Sequence, residues 1–134
     1  MIRVVLDTNI LVSAMLSRHG PPAQILRIVL EDPEIQLCVS AQVYAEYDEV
    51  LRRPRLKLGE AEIEGMLGMV RQRALWVRPA EDVRGCSDPD DDIFLACAQA
   101  ARAQYLVTGN TRHFPSQWDL TSILTAREFL DLVG

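Results

Sequence analysis

The chain alternates between short, continuously apolar runs and longer amphipathic stretches. Ile2–Leu6 is apolar except for Arg3 and is β-branched at three of five positions, the pattern of a strand buried on both faces. Asp7-Thr8-Asn9 ends it, and Ile10–Ser17 predicts a short helix. His19-Gly20-Pro21-Pro22 reads as a turn whose prolines open the next helix. In Ala23–Glu31 the residues Ile25, Leu26, Val29 and Leu30 share one helical face, and Asp32-Pro33 stops it. Ile35–Val39 predicts a second strand. Ser40 then has the chemistry to cap a helix from Ala41 to Arg53, ended by Pro54. Glu60–Arg73 predicts another amphipathic helix, with Ile63, Met66, Leu67 and Val70 on one side.

The second half repeats the alternation. Leu75-Trp76-Val77 reads as a third strand and Tyr105–Thr108 as a fourth, with Ser122-Ile123-Leu124 a short candidate fifth. Ser87-Asp88-Pro89 opens a helix that runs to Ala103, and Thr125-Ala126-Arg127-Glu128 is a capping box for a final helix. Strands that are apolar throughout and separated by helices predict an α/β fold with a parallel sheet of four or five strands covered on both faces. With no repeat, linker or low-complexity tract, residues 1–134 are expected to form one domain.

In open parallel sheets, sites form beyond the carboxyl ends of the strands, and right-handed crossovers bring those ends to one edge. Asp7 follows the first strand and Asn110 the fourth. Glu46 lies in the helix after the second strand, and Asp92 in the first turns of the helix that feeds the fourth. These residues are expected to meet in one pocket. The run Asp88-Pro89-Asp90-Asp91-Asp92 holds more acids than capping a helix needs, so at least one of them is a candidate metal ligand. Clustered carboxylates raise one another's pKa, and a hard cation removes that penalty. An all-oxygen ligand set favours Mg²⁺ or Mn²⁺ over zinc, and such ions activate water for phosphodiester hydrolysis.

Charge changes the picture of the partner. The chain carries 14 basic and 19 acidic residues, a formal charge of −5, so bulk cationic attraction does not explain nucleic-acid binding. Thirteen of the basic residues are Arg, and Arg52-Arg53-Pro54-Arg55-Leu56-Lys57 is the densest basic run. Cys38, Cys86 and Cys97 match neither a disulfide framework nor a zinc site. No apolar run approaches the roughly 20 residues of a membrane helix, and an acid at position seven is foreign to a signal peptide. A reduced, cytoplasmic protein without membrane contact is expected.

Four ordered segments resemble the PIN-domain nucleases over nearly the whole length: Val4–Ala14 with Asp7-Thr8-Asn9, Ser40–Leu51 with Glu46-Tyr47, Asp88–Ala96, and Tyr105–Asn110. The closing Ile123-Leu124-Thr125 and Glu128-Phe129-Leu130 resemble the bacterial PIN proteins assigned as toxins of toxin–antitoxin pairs (VapC-like). The resemblance implies an α/β/α sandwich and a Mg²⁺- or Mn²⁺-dependent endoribonuclease that cleaves RNA. It implies catalytic, metal-binding roles for Asp7, Glu46 and Asp92, the last chosen because Leu95 and Ala96 follow it at the family's spacing. Asp88 becomes a further or outer ligand. Thr8, Asn9 and Thr108 would orient ligands or phosphate oxygens, and His113 would contact substrate. The family's fourth acid is replaced here by Asn110, which leaves a second ion without its usual charge. An antitoxin that blocks the acidic pocket and a homodimer are also implied.

Other readings fit less well. A haloacid-dehalogenase-type phosphatase needs a carboxylate where Asn9 stands. A response-regulator receiver needs a lysine after a late strand, and Lys57 is misplaced. A non-catalytic PIN-fold module that binds nucleic acid or protein is the alternative that the intact Asp7, Glu46 and Asp92 argue against.

Overall fold

The computed structural model describes residues 1–80 and 82–134. The element order is β1 (Ile2–Leu6), α1 (Thr8–Leu16), α2 (Pro21–Glu31), β2 (Ile35–Val39), α3 (Ala41–Leu51), α4 (Glu60–Arg73), β3 (Leu75–Trp76), α5 (Asp92–Ala101), β4 (Tyr105–Val107), β5 (Gln117–Trp118), β6 (Thr121–Leu124) and α6 (Ala126–Val133). The strands form a six-stranded sheet in the order β3-β2-β1-β4-β6-β5. All pairings are parallel except β5 with β6. The chain steps outward from β1 to β3 and then returns to β4. Right-handed crossovers therefore set α5 on the opposite face from the helices of the outward half, giving a three-layer α/β/α sandwich.

The local signals carry through. Ser40 caps α3 by accepting a hydrogen bond from the Val43 amide at 3.1 Å, and Thr125 and Glu128 form a reciprocal capping box on α6. Val4, Val5, Leu6, Leu37, Cys38, Val39, Leu106 and Val107 are essentially inaccessible, as central parallel strands require.

The parallel part of the sheet has the five strands expected, and Gln117–Trp118 adds a sixth, antiparallel strand in a hairpin with β6. Its two-residue turn starts at Asp119, in the left-handed region at φ 50°, and Asp tolerates that conformation better than most residues. Two residues are too few to show a period. The helix expected from Ser87 to Ala103 is shorter: a 3₁₀ turn at Pro89–Asp91 precedes α5, which begins at Asp92 and ends at Ala101. Two of the four cations in the basic run are neutralised. Arg52 pairs with Asp48, Glu60 and Glu64, and Arg53 pairs with Glu49 at 3.0 Å.

Candidate active site

Asp7 is placed by the sheet itself. Its amide donates to the Val107 carbonyl at 2.9 Å, extending the β1–β4 pairing by one step past the end of the strand. The carboxylate is then caught between two loops. Thr108 Oγ1 donates to Asp7 Oδ2 at 2.7 Å, and Asn9 Nδ2 donates to the same oxygen at 3.2 Å. Asn9 also accepts from the Gly109 amide at 3.0 Å, and Thr108 Oγ1 accepts from the Asn110 amide at 3.0 Å. Asp7, Thr8, Asn9, Thr108 and Asn110 thus form one connected constellation. Thr8 Oγ1 is buried without a hydrogen-bond partner among the described residues.

Burial is costly for Asp7. It is 5% exposed, and its pKa rises from 3.8 to about 6. Desolvation is the main cause; the Thr108 hydrogen bond pulls the value down, and the charge of Asp91 pushes it up.

Glu46 reaches the same edge from α3. That helix is fastened below the site by Tyr47, a fully buried side chain whose hydroxyl donates to the Leu6 carbonyl at 2.5 Å. Glu46 is half-buried and also raised, first by desolvation. The charge of Glu49 adds to this, Arg53 opposes it, and Asp90 and Asp91 raise it further.

The acidic run divides its labour. Asp88 accepts from the Asp90 amide at 3.0 Å and caps the 3₁₀ turn, so its oxygen is engaged locally. Asp92 turns back toward its own loop, where Oδ1 accepts from the Gly85 and Cys86 amides at 3.0 and 2.9 Å. Desolvation raises Asp92, but those amides outweigh it and hold the carboxyl below the usual range. Gly85 is required there: a Cβ would stand 2.5 Å from the Trp118 ring and 2.9 Å from a Leu95 methyl. Asp91, the residue before α5, is the acid whose charge acts on both Asp7 and Glu46. Burial raises Asp91, His113 lowers it through a 3.2 Å contact between Nδ1 and Oδ2, and Asp88 and Asp90 raise it again.

Of the acidic run, Asp91 is the residue whose charge raises Asp7, while Asp92 Oδ1 is engaged by the Gly85 and Cys86 amides. No group of three metal-binding side chains gathers among the described residues. His113 Nδ1 contacts Asp91 Oδ2 at 3.2 Å. Cys86, one of the three cysteines without a disulfide or zinc pattern, lies at this edge. It is half-buried and pushed up to about 12, first by desolvation and then by Asp92, Asp91 and Asp7, so it stays a neutral thiol beside the acids.

Asp7 and Asp91 fit a hard cation by chemistry. Both are oxygen donors raised by burial, and each sees neighbouring negative charge. Asp7 takes its side-chain hydrogen bonds on Oδ2 alone, and Thr8 adds an unpaired oxygen nearby in the chain. Two carboxylates suffice for Mg²⁺, which keeps several waters and takes further oxygens from substrate phosphate.

Similarity to known proteins agrees with this architecture. A protein of Methanocaldococcus jannaschii described as uncharacterized, MJ1680, is 27% identical over 134 residues, covering 98% of this chain and 81% of that protein. VapBC2 from Rickettsia felis, solved bound to a DNA fragment from their promoter, has a similar fold at TM-score 0.61 and 16% identity, over 92% of this chain and 98% of that one. VapBC-1 from nontypeable Haemophilus influenzae is similar at TM-score 0.55 and 20% identity, over 84% and 90%. No helix among the described residues is long and apolar enough to cross a membrane. The family model for the PIN domain matches residues 3–112, from β1 through β4 and with the entire acidic edge, and the chain belongs to the PIN-domain family.

Proposed function

We propose that this PIN domain is a divalent-metal-dependent endoribonuclease and the toxin of a toxin–antitoxin pair. The observation that carries the reading is the electrostatic strain at the sheet edge, where Asp7, Asp91 and Glu46 are raised together. Buried acids that repel one another are destabilising unless a cation joins them.

Asp7 and Asp91 would hold the ion, with Glu46 as a third or outer carboxylate; Asp92 and Asp88 act on the surrounding loop. Bound Mg²⁺ or Mn²⁺ would supply Lewis-acid polarisation of the phosphate and an acidified water. Thr108 and Asn9 fix the Asp7 carboxylate in one orientation, and His113 does the same for Asp91. Asn110 presents an amide where relatives carry an acid, so a single ion is the simplest stoichiometry. Cys86 is kept protonated first by desolvation and then by its acidic neighbours, and is not the nucleophile.

The test is cleavage of RNA with Mg²⁺ or Mn²⁺, with and without EDTA, beside Asp7→Asn. Cleavage that survives either EDTA or the substitution overturns the metal mechanism.

The similarity of fold to VapBC proteins supports an antitoxin partner, and an acidic pocket would attract a basic side chain from it. Expression alone should arrest growth, and the neighbouring gene product should relieve the arrest. A homodimer and a cytoplasmic location complete the reading; sedimentation that finds only monomer at high concentration removes the dimer.

A further inference from the structure

A groove of about 460 Å³ opens beside Asp7, within the roughly 300–1,000 Å³ range of ligand sites. Its walls include Asn9 and Ser13 from α1, Thr108 and Asn110 after β4, and Arg127 at the start of α6. Asn9 and Thr108 are the two side chains that hydrogen-bond Asp7, so the groove is continuous with the acidic site.

The lining is one-sided in charge. No carboxylate faces the groove, and Arg127 is its one cation among the described residues. Arg127 is exposed and makes no ion pair among them; the Ser13 hydroxyl and the Asn110 side-chain amide likewise make no hydrogen bond there, although the Asn110 backbone amide donates to Thr108. Much of the wall is apolar (Ile10, Pro21, Pro22 and Ala126), and unpaired donors set beside such a wall suit an anion joined to a flat apolar group, as a nucleotide is. Glu46, by contrast, stands among Asp90 and Asp91, where a second phosphate would be repelled. A phosphodiester chain cut at Asp7 must continue in some direction, and this groove is a flank that does not repel it. Arg52 and Arg53 are less available to a phosphate than Arg127, because their guanidinium groups are paired with four carboxylates.

We infer that the groove between α1, the loop after β4 and the start of α6 holds the nucleotide adjoining the scissile phosphate, its flanking phosphate lying on Arg127, Ser13 and Asn110. This deepens the nuclease reading and rests on it. Arg127 becomes an affinity-determining residue that takes no part in the chemistry, because it stands beyond the residues that touch Asp7.

The probe is a short fluorescein-labelled single-stranded RNA, titrated against the full chain carrying Asp7→Asn so that it is not cut. Adding Arg127→Gln should weaken binding roughly tenfold. It should also reduce the slope of log affinity against log salt by about 0.7, the value for one phosphate contact on a single strand. Arg73→Gln makes the same charge change at the amino-end edge of the sheet and should leave the slope unaltered. In the active chain, Arg127→Gln should raise KM with kcat unchanged. RNA binding that is identical in the Arg127 and Arg73 variants overturns the groove alone, whereas a parent chain that binds no RNA overturns the nuclease reading and the groove together.

Discussion

Two acidic segments converge on the carboxyl edge of the sheet and treat their carboxylates in opposite ways. At the end of β1, Asp7 is buried, receives two side-chain hydrogen bonds on one oxygen, and rises to about 6. In the run before α5, Asp92 receives two backbone amides and is held below its ordinary value, and Asp88 is engaged by the amide of Asp90. Asp91 belongs to the second segment by sequence and to the first by behaviour. A carboxylate already satisfied by backbone N–H groups has become part of the scaffold. One raised by burial and by like charge is the one a cation stabilises.

The contrast can be broken most directly at its two extremes. Asp7→Asn should lower metal-dependent RNA cleavage by roughly a thousandfold, about 4 kcal/mol of transition-state stabilisation. An initial-rate assay at saturating Mn²⁺ measures it. The same substitution should stabilise the metal-free fold. Because the folded pKa of Asp7 lies above its ordinary 3.8, at about 6, the parent chain loses stability as pH climbs through that interval and stays penalised above it. At neutral pH the penalty amounts to at most about 3 kcal/mol. Denaturant melts of parent and Asp7→Asn in EDTA should therefore agree near pH 4, separate as pH rises toward 6 and stay apart above it. Parallel curves would mean that burial does not strain Asp7.

Asp91 and Asp92 sharpen the comparison because they are adjacent. Asp91→Asn should weaken Mn²⁺ binding by about a hundredfold, as read by the electron-paramagnetic signal of free Mn²⁺. Asp92→Ala should leave that affinity nearly unaltered and cost about 2 kcal/mol of stability, since it strands the Gly85 and Cys86 amides. The opposite pairing of outcomes would restore Asp92 as the ligand. The smallest effect belongs to His113. His113→Ala should lower Mn²⁺ affinity by roughly tenfold by freeing Asp91, and His113→Asn, which keeps a donor near Nδ1, should recover most of it.

Much of the fold was legible along the chain. Apolar runs located β1 and β2 to the residue, Ser40 and the Thr125–Glu128 box marked the starts of α3 and α6, and topology brought Asp7, Glu46 and the acidic run to one edge. The hairpin at Gln117–Trp118 escaped because two residues carry no period. The loss of free charge at Arg52 escaped because Glu60 and Glu64 come from another helix. Asp92 stands at the family's spacing from Leu95 and Ala96, but that spacing does not report that the charge of Asp91 is the one that reaches Asp7.

The sequence by itself determined the elements, their caps, the order of the strands' functional ends and the kinds of side chain available there. These depend on neighbours within a turn or two, and periodicity and capping chemistry report them faithfully. Only the tertiary structure decided which acids are strained, which are spent on backbone amides, and which arginines remain unpaired. Desolvation and charge interaction depend on distance through space and on what each carboxylate already binds, and the number of residues between two acids along the chain measures neither.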